Sequence, residues 1–289
     1  MIGDVYIGRI GDGRRLHFNH GPIDIIALAE GDTAEIDAAY AQGGERFTTI
    51  LEELVADLPR LREAINTAHP FLKGAVARRM ESAVRPHGDF YVTPMAAVAG
   101  SVADEIIAAL VAGRDLARVY VNNGGDIAFH LAPGQHFDVG IVGNADAPDL
   151  DGRIRLTYDM PVRGLATSGW RGRSHSLGVA DAVTVLATCT AEADVAATLI
   201  ANAVNVEHAA VERAPANTIS DDSDLGDLPV TVTVGDLPQD AIEQALEAGV
   251  ACATAMQVRN LIFSACLSLQ GQVKTVGADL RLPAAGAAK

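Results

Sequence analysis

Residues 119–127 read Val-Tyr-Val-Asn-Asn-Gly-Gly-Asp-Ile, and this stretch decides how the chain around it is arranged. Its first three residues favour a short buried strand, because β-branched and aromatic side chains suit that conformation. Gly124 and Gly125 then allow a sharp turn, and without a Cβ they let a ligand touch the backbone. Two interpretations stay open: a type I′ hairpin turn, or a binding turn in which Asn123 and Asp126 face a ligand.

The segments on either side alternate between strands and helices. Residues 4–30 predict β-hairpins, and residues 45–68 predict a helix from their three- and four-residue apolar spacing, with Pro59 expected to kink or break it. Two alanine-rich helices are predicted over 94–112 and 189–210. Each lies near a glycine-containing segment, which favours a duplicated β/α unit.

The remaining elements are predicted from shorter patterns. They are strands over 137–142 and 230–234, a polar loop over 144–151, a helix over 238–256, and either a helix or a pair of strands over 259–275.

Composition excludes several classes of function. The 289 residues include 22 Lys+Arg and 37 Asp+Glu, a formal charge of −15, so nucleic acid and anionic membranes are not expected as partners. Aromatic residues make up only 4%, which disfavours a base-stacking surface. The N-terminus carries no signal-peptide pattern. Three widely spaced cysteines fit reduced thiols in the core of a cytoplasmic protein.

A second candidate for chemistry is the segment Thr167-Ser168-Gly169, followed by His175. It is not a nucleophile elbow, because the G-x-S-x-G pattern is not satisfied. Its hydroxyl and amide groups could instead donate hydrogen bonds to a phosphate or a carbonyl. The alternative is a loop whose serine satisfies its own backbone.

The third candidate lies within the second alanine-rich helix. Asp194 and Thr198 are four residues apart, so both project from one helical face. A carboxylate and a hydroxyl at this spacing suit Mg²⁺, which takes one or two protein oxygens and fills its shell with water and phosphate. The alternative is an acidic residue favoured by the helix dipole, with a tolerated threonine.

Taken in order, these segments resemble the ApbE family of FAD:protein FMN transferases. The Gly-Gly-Asp strand end, the Thr-Ser-Gly loop with its histidine, and the Asp194 to Thr198 helix match the family's pattern closely. In the family's first motif only Gly100 and Asp104 match, and Ala99 stands at the position of a lysine. The proline that the family carries after the histidine is also absent.

The resemblance implies an α+β fold, with antiparallel sheets backed by helices in a duplicated, T-fold-like arrangement. It implies that FAD contacts the Gly-Gly-Asp turn and the Ser-Gly loop, that His175 lies near the flavin, and that Asp194 and Thr198 hold Mg²⁺ against the pyrophosphate. The predicted cofactor-binding residues are Asn123, Gly124, Gly125, Asp126, Thr167, Ser168, Gly169 and His175, and the predicted metal ligands are Asp194 and Thr198.

The expected organisation is a single ApbE-like domain over residues 1–289. Residues 1–90 form a hairpin and helix region, 91–210 a motif-bearing core, and 211–289 a C-terminal sheet and helix region. The chain resembles the short cytoplasmic branch of the family. Two other functions stay open: a pterin-binding enzyme of tetrahydromethanopterin-linked one-carbon cofactor biosynthesis, and a non-catalytic binding protein. A homodimer is plausible, because the alanine-rich helices could pack against a second copy.

Overall fold

The computed structural model describes residues 3–66, 68–141, 152–172, 174–221 and 223–277. The chain forms two compact units. Unit 1 comprises Met1–His136, Thr157–Ala166 and Ala187–Val195, and unit 2 comprises Phe137–Leu156, Thr167–Leu186 and Ala196–Lys289. The assignment of residues 1–289 to one domain with three regions stays a prediction.

Unit 1 contains an antiparallel sheet whose strands follow each other in chain order. The strands are β1 (Tyr6–Ile10), β2 (Arg15–His20), β3 (Ile23–Gly31), β4 (Leu116–Asn123) and β5 (Asp126–Leu131). β5 also pairs antiparallel with the start of β8 (Gly164–Ser168), through Ile127 and Leu165.

Unit 2 has a second group of antiparallel strands. β9 (Ala182–Ala187) pairs with β12 (Ser264–Leu269), which pairs with β13 (Gln272–Val276). Two-stranded ribbons are formed by β6 (His136–Ile141) with β7 (Gly152–Thr157), and by β10 (Val211–Pro215) with β11 (Pro229–Val234). The segment 259–275, left open between a helix and two strands, is therefore mainly two strands.

Helices back the strands in both units. They are α1 (Thr33–Leu61), α2 (Ala75–Val84), α3 (Val98–Val111), α4 (Thr190–Ala203), the short α5 (Ala216–Ile219) and α6 (Gln239–Val258), with 3-10 turns at Arg85–His87 and Pro94–Ala97. In unit 1, α1 packs on β2 and β3 while α3 packs on β4 and β5, and in unit 2, α6 packs on β12 and β13. The predicted α+β class, antiparallel strands backed by helices, is confirmed.

Several predicted boundaries were wrong for identifiable reasons. The helix expected over 45–68 begins at Thr33, because the Asp32 side chain accepts from the Ala34 N–H and caps it there. The helix runs past Pro59, which lies in its last turn, and ends at Leu61. The second alanine-rich helix spans only Thr190–Ala203. The polar loop predicted over 144–151 lies outside the described residues.

The core of unit 1 lies between its sheet and helices α1 and α3. β3 alternates between buried and less buried positions, and Ile25 is fully buried on the same face as Phe18 of β2. The Phe18 and Phe47 rings lie 5.2 Å apart between centroids. Burying each such side chain contributes about 1.5–3 kcal/mol, and this face of the sheet also carries the residues of the candidate site.

One segment within the described ranges, Pro94–Val111, is long and apolar enough to cross a membrane, and half of it is buried inside the protein. It consists of a 3-10 turn and α3, which packs on β4 and β5. Asp104 and Glu105 in its middle bond to groups within unit 1. These contacts are those of a core helix that packs on the sheet of unit 1.

Candidate functional site

The turn between β4 and β5 has the geometry of a tight hairpin. Asn123 and Asp126 are register partners, so Gly124 and Gly125 alone make the connection. Their φ angles are +68° and +114°, both in the region that a type I′ turn requires. A Cβ built on Gly125 would meet no atom within 4 Å, so open space lies beside this part of the turn. The hairpin interpretation is therefore correct, and the turn also leaves room for a ligand.

The turn is tied to the start of α3. The buried Asn123 side chain donates from Nδ2 to the Ala99 carbonyl over 3.0 Å. The Gly125 N–H donates to Asn122 Oδ1 over 2.8 Å, which closes the turn on itself. The first bond therefore fixes the turn relative to the first turn of α3, and the second stabilises the turn itself.

Helices α3 and α4 cap each other through their acidic side chains. Asp194 Oδ2 of α4 accepts from the Gly100 N–H in the first turn of α3 over 2.9 Å. Asp104 of α3 accepts from the Thr190 and Ala191 N–H groups, which begin α4, over 3.0 and 2.9 Å. Because the first N–H groups of a helix lack partners within it, each helix supplies what the other needs.

A glycine makes this close approach possible. A Cβ on Gly100 would lie 2.4 Å from the Thr190 carbonyl oxygen, a distance that real Cβ contacts do not reach. The two positions of the first family motif that this sequence matches, Gly100 and Asp104, are thus the two that join α3 to the start of α4. Sequence reasoning noted Asp104 only as a motif position, although that matched spacing was the signal that could have selected it.

The site carries more negative charge than capping requires. Burial and the neighbouring Asp126 carboxylate hold the pKa of Asp194 well above its usual range, with a smaller contribution from Asp104. The N–H groups of Gly100 and Ala99 act in the opposite direction. Burial also raises the pKa of Asp104, against the two backbone N–H groups that it accepts. Such a group of carboxylates favours a bound proton or a cation.

The residues present fit a magnesium ion that is completed by its ligand. The described part of the chain contains no cluster of three or more His, Cys, Asp or Glu side chains able to hold a metal by itself. Asp126 and Asp194 could supply two carboxylates. Mg²⁺ in phosphoryl-transfer sites is bound by one or two carboxylates plus water and substrate phosphates, so two are enough.

The other predicted residues lie in unit 2. Thr167 and Thr184 hydroxyls are 2.9 Å apart and share a hydrogen bond. Gly169 lies against the backbone of Asp181, where a Cβ would come within 2.4 Å of the carbonyl oxygen. His175 is half-buried, and the following Ser176 is buried. Thr167 and Ser168 are therefore the last two residues of strand β8 and not part of a loop as expected; Thr167 is exposed, Ser168 is half-buried and only Gly169 is buried.

Asp181 organises the segment that follows β8, and sequence reasoning missed it. Its Oδ1 accepts from Trp170 Nε1 at 3.2 Å and from Arg171 Nε at 2.8 Å, and its Oδ2 accepts from the Gln270 N–H at 2.5 Å. The Arg171 guanidinium lies over the Trp170 ring, 4.5 Å from its centroid. Trp170 and Arg171 are thus held by the protein itself.

The structure brings one part of the predicted set together. The residues that lie in unit 1 are Asn123, Gly124, Gly125, Asp126 and Asp194, and those in unit 2 are Thr167, Ser168, Gly169, His175 and Thr198. Asp194 and Thr198 share α4, where the division between the units falls after Val195. The roles of all ten residues stay predictions, as does Thr198 as a metal ligand.

The three cysteines are free thiols, but the predicted position in the core holds only for Cys266. Cys266 is buried, and Cys189 and Cys252 are half-buried. Cys189 precedes α4, where a helix N-terminus would ordinarily lower a thiol pKa. Burial, Asp104 and Glu192 instead raise the pKa of Cys189 to about 12, so it is a poor nucleophile at neutral pH.

Comparison with known proteins identifies the family. A sequence model of the family described as "AbpE bacteria" matches residues 7–275. The chain therefore belongs to this ApbE-like family, as its motifs predicted.

Two archaeal relatives are similar over part of the chain. A UPF0280 protein of Methanopyrus kandleri is 40% identical over 147 residues, which are 50% of this chain and 56% of that protein. A UPF0280 protein of Methanosphaerula palustris is 35% identical over 187 residues, 57% of this chain and 77% of that protein. The first of these alignments thus spans little more than half the length of the relative.

The chain is also similar to a solved structure, the flavinyl transferase ApbE of Pseudomonas stutzeri in its apo form. The identity is 13%, the TM-score is 0.45, and the alignment covers 96% of this chain and 94% of that chain. A likeness of this degree carries no argument about activity, since one fold hosts many functions.

Proposed function

We propose that this protein binds a flavin dinucleotide, with Asp126 and Asp194 holding Mg²⁺ against the pyrophosphate. The observation that carries the proposal is that both carboxylates lie at the start of α3: Asn123, the register partner of Asp126, bonds to the Ala99 carbonyl, and Asp194 accepts from the Gly100 N–H. Burial and, after it, the Asp126 carboxylate raise the pKa of Asp194. Membership of the ApbE-like family supports a flavin-related ligand.

The chain's own groups have separate roles in this proposal. The open side of Gly125 admits the ligand to the backbone of the turn. Asn123 fixes that turn on Ala99, and Asp104 fixes the start of α4, so that the Asp194 carboxylate is held in place before any ligand arrives. A bound Mg²⁺ would neutralise negative charge on the pyrophosphate oxygens.

Transfer of the FMN moiety is the further activity proposed for this site. An acceptor hydroxyl would attack the phosphorus bonded to riboflavin, its proton would pass to solvent, and AMP would leave. Ala99 offers only its backbone at the position where the family carries a lysine. Binding is therefore tested before transfer. The free thiols of all three cysteines are compatible with the proposed cytoplasmic location.

The test is a calorimetric titration of the full chain with FAD, with and without Mg²⁺. Asp126→Asn and Asp194→Asn remove charge, and the amide oxygen that replaces the Asp194 carboxylate can still accept from the Gly100 N–H. Asp138→Asn, at an exposed ion pair with Arg155, is the matched control. We expect Mg²⁺ to tighten FAD binding in the parent protein and in the control, and to have no effect in the two site variants.

Two outcomes would contradict the proposal. One is the absence of FAD binding at sub-millimolar concentration in the presence of Mg²⁺. The other is a thermal shift with pterins and none with FAD, which would favour the pterin-binding alternative. Transfer is followed separately, by release of AMP and by the mass of an FMN adduct on a hydroxyl-containing acceptor.

A further inference from the structure

A second cleft opens in unit 1 at the opposite end of the sheet. It has a volume of about 640 Å³, and its charged lining residues are Arg9, Asp12, Arg14, Glu30, Asp37 and Arg118. Gly31 pairs with Leu116 at this end, whereas Ile25 pairs with Asn123 near the Gly124-Gly125 turn. Six residues of β3 separate the two ends, which is roughly 20 Å. We call this the arginine cleft.

Two of the three arginines are held by neighbouring groups. Arg118 donates from Nε and NH2 to the same Glu30 oxygen, and from NH1 to the His136 carbonyl over 3.0 Å. Arg9 donates to the Gly13 carbonyl over 2.9 Å and also pairs with Asp37. These contacts use the carboxylates of Glu30 and Asp37, so neither is an open cation site.

Arg14 is different, because its guanidinium makes no hydrogen bond to any described residue. Its nearest acidic atom is Glu30 Oε1, at 3.6 Å, and the side chain is 63% exposed. A guanidinium carries five N–H donors in a planar fork that matches carboxylate and phosphate oxygens. The donors of Arg14 therefore line the cleft and are available to a ligand.

The backbone that carries Arg14 is fixed. The Tyr40 hydroxyl donates to the Arg14 carbonyl over 2.6 Å and accepts from the Ala29 N–H over 3.0 Å. Tyr40 is 5% exposed. The Arg14 N–H itself donates to Asp12 Oδ1 over 3.1 Å. A fixed main chain reduces the conformational ordering that ligand binding at Arg14 costs.

We propose that the arginine cleft binds a small molecule bearing a phosphate or carboxylate group, with Arg14 as its main contact. The volume lies in the range of small-molecule sites. The chain's charge of −15 disfavours a polyanion such as nucleic acid at the same place. Asp12 adds an acceptor for a hydroxyl or amine on the same molecule.

The test uses the full chain and two probes, inorganic phosphate and succinate, which separate the two anionic groups. Binding is followed by calorimetry and by the NMR signals of arginine Nε–H groups. Arg14→Gln keeps the turn, because only the side chain beyond the backbone contacts changes. Arg78→Gln, an exposed arginine outside the cleft, is the matched control.

We expect saturable binding of at least one probe, weakened about tenfold by Arg14→Gln and unchanged by Arg78→Gln, since Arg14→Gln removes the charge-assisted hydrogen bonds to the anionic group. Asp194→Asn should leave this binding unchanged, because the flavin site is at the other end of the sheet. Failure of both probes to bind, or equal binding by the Arg14→Gln protein, would overturn the proposal.

Discussion

The two ends of α4 are packed by the same means but differ in charge. At the start, Gly100 and Gly164 lie against the backbone of Thr190, where added Cβ atoms would come within 2.4 and 2.1 Å of its atoms. At the end, Gly178 lies against the Ala201 carbonyl, where a Cβ would come within 2.0 Å. Both ends therefore depend on glycines for close packing.

The groups that satisfy the two ends are not alike. At the C-terminal end, the Val179 N–H donates to the Val204 carbonyl over 2.8 Å, and Asn202 Oδ1 accepts from the Leu177 N–H over 2.9 Å. All of these groups are uncharged. At the N-terminal end, Asp104 caps α4 and Asp194 caps α3, and Asp126 is a third carboxyl group, close enough to help raise the pKa of Asp194. The N-terminal end of α4 therefore has more carboxyl groups than helix capping needs, and the groups named at the C-terminal end include none. This difference marks the N-terminal end as the candidate site.

The largest expected effect comes from filling the glycine contacts. Gly100→Ala and Gly178→Ala force backbone atoms apart at the two ends of α4, so each should lower the free energy of unfolding by about 3 kcal/mol. Denaturant unfolding measures both changes. Gly88→Ala is the control, because its Cβ would come no closer than 3.7 Å to another atom and should leave stability nearly unchanged. If only one of the two substitutions lowers the free energy of unfolding, the two ends of α4 do not depend on glycine packing in the same way.

A smaller effect is expected from removing the caps. Asp104→Ala leaves the Thr190 and Ala191 N–H groups without their acceptor, and should cost about 2 kcal/mol. Asn202→Ala removes the acceptor of one backbone N–H group and should cost about 1 kcal/mol. Thermal unfolding of the two variants side by side gives the ratio of their losses in stability. Equal costs would show that the charge of Asp104 adds nothing to capping.

The smallest expected effect is the pH dependence of stability, which tests the interaction between the carboxyl groups of Asp194 and Asp126. A carboxyl group whose pKa is raised on folding holds its proton more tightly in the folded state, so its ionisation costs stability as the pH rises above about 4. Because the pKa of Asp194 is raised well above its usual range, metal-free protein should be less stable at neutral pH than near about pH 4. Asp126→Asn should reduce that loss, and Mg²⁺ should reverse it in the parent protein.

Melting temperatures measured at the two pH values, with EDTA or with Mg²⁺, test the predicted dependence of stability on pH and on the metal ion. The Asp138→Asn protein, altered at an exposed pair, should follow the parent. If Asp126→Asn leaves the pH dependence unchanged, the two carboxylates do not interact and the proposed metal site loses its basis.

The sequence predicted elements well where the pattern is local. The prediction of a turn at Gly124-Gly125 was correct, because the Asn-Gly and Gly-Asp neighbours restrict the backbone over only a few residues. The start of α1 was missed because its signal, an Asp32 cap, precedes the clear apolar repeat by many residues. The motif-based membership of the ApbE-like family was confirmed by a match over residues 7–275.

The contacts around the candidate site could not be predicted from the sequence, because they join positions that are far apart along the chain. Asp194 bonds to Gly100, 94 positions earlier in the chain, and Asp104 bonds to groups 86 and 87 positions later. No local spacing encodes such pairs. Arg14 and its cleft were missed for the same reason, because Tyr40 and Glu30 reach it from other elements.

The mutual caps of α3 and α4 also set a time at which the carboxylate site can exist. While the chain emerges from the ribosome, α3 is complete long before its partner for Gly100 has been translated. Asp104 is translated 86 and 87 positions before the N–H groups that it caps, and Gly100 is translated 94 positions before Asp194, so neither helix start can be closed until α4 has been made. Until Asp194 has been translated, the proposed magnesium ligands therefore cannot take up their final arrangement.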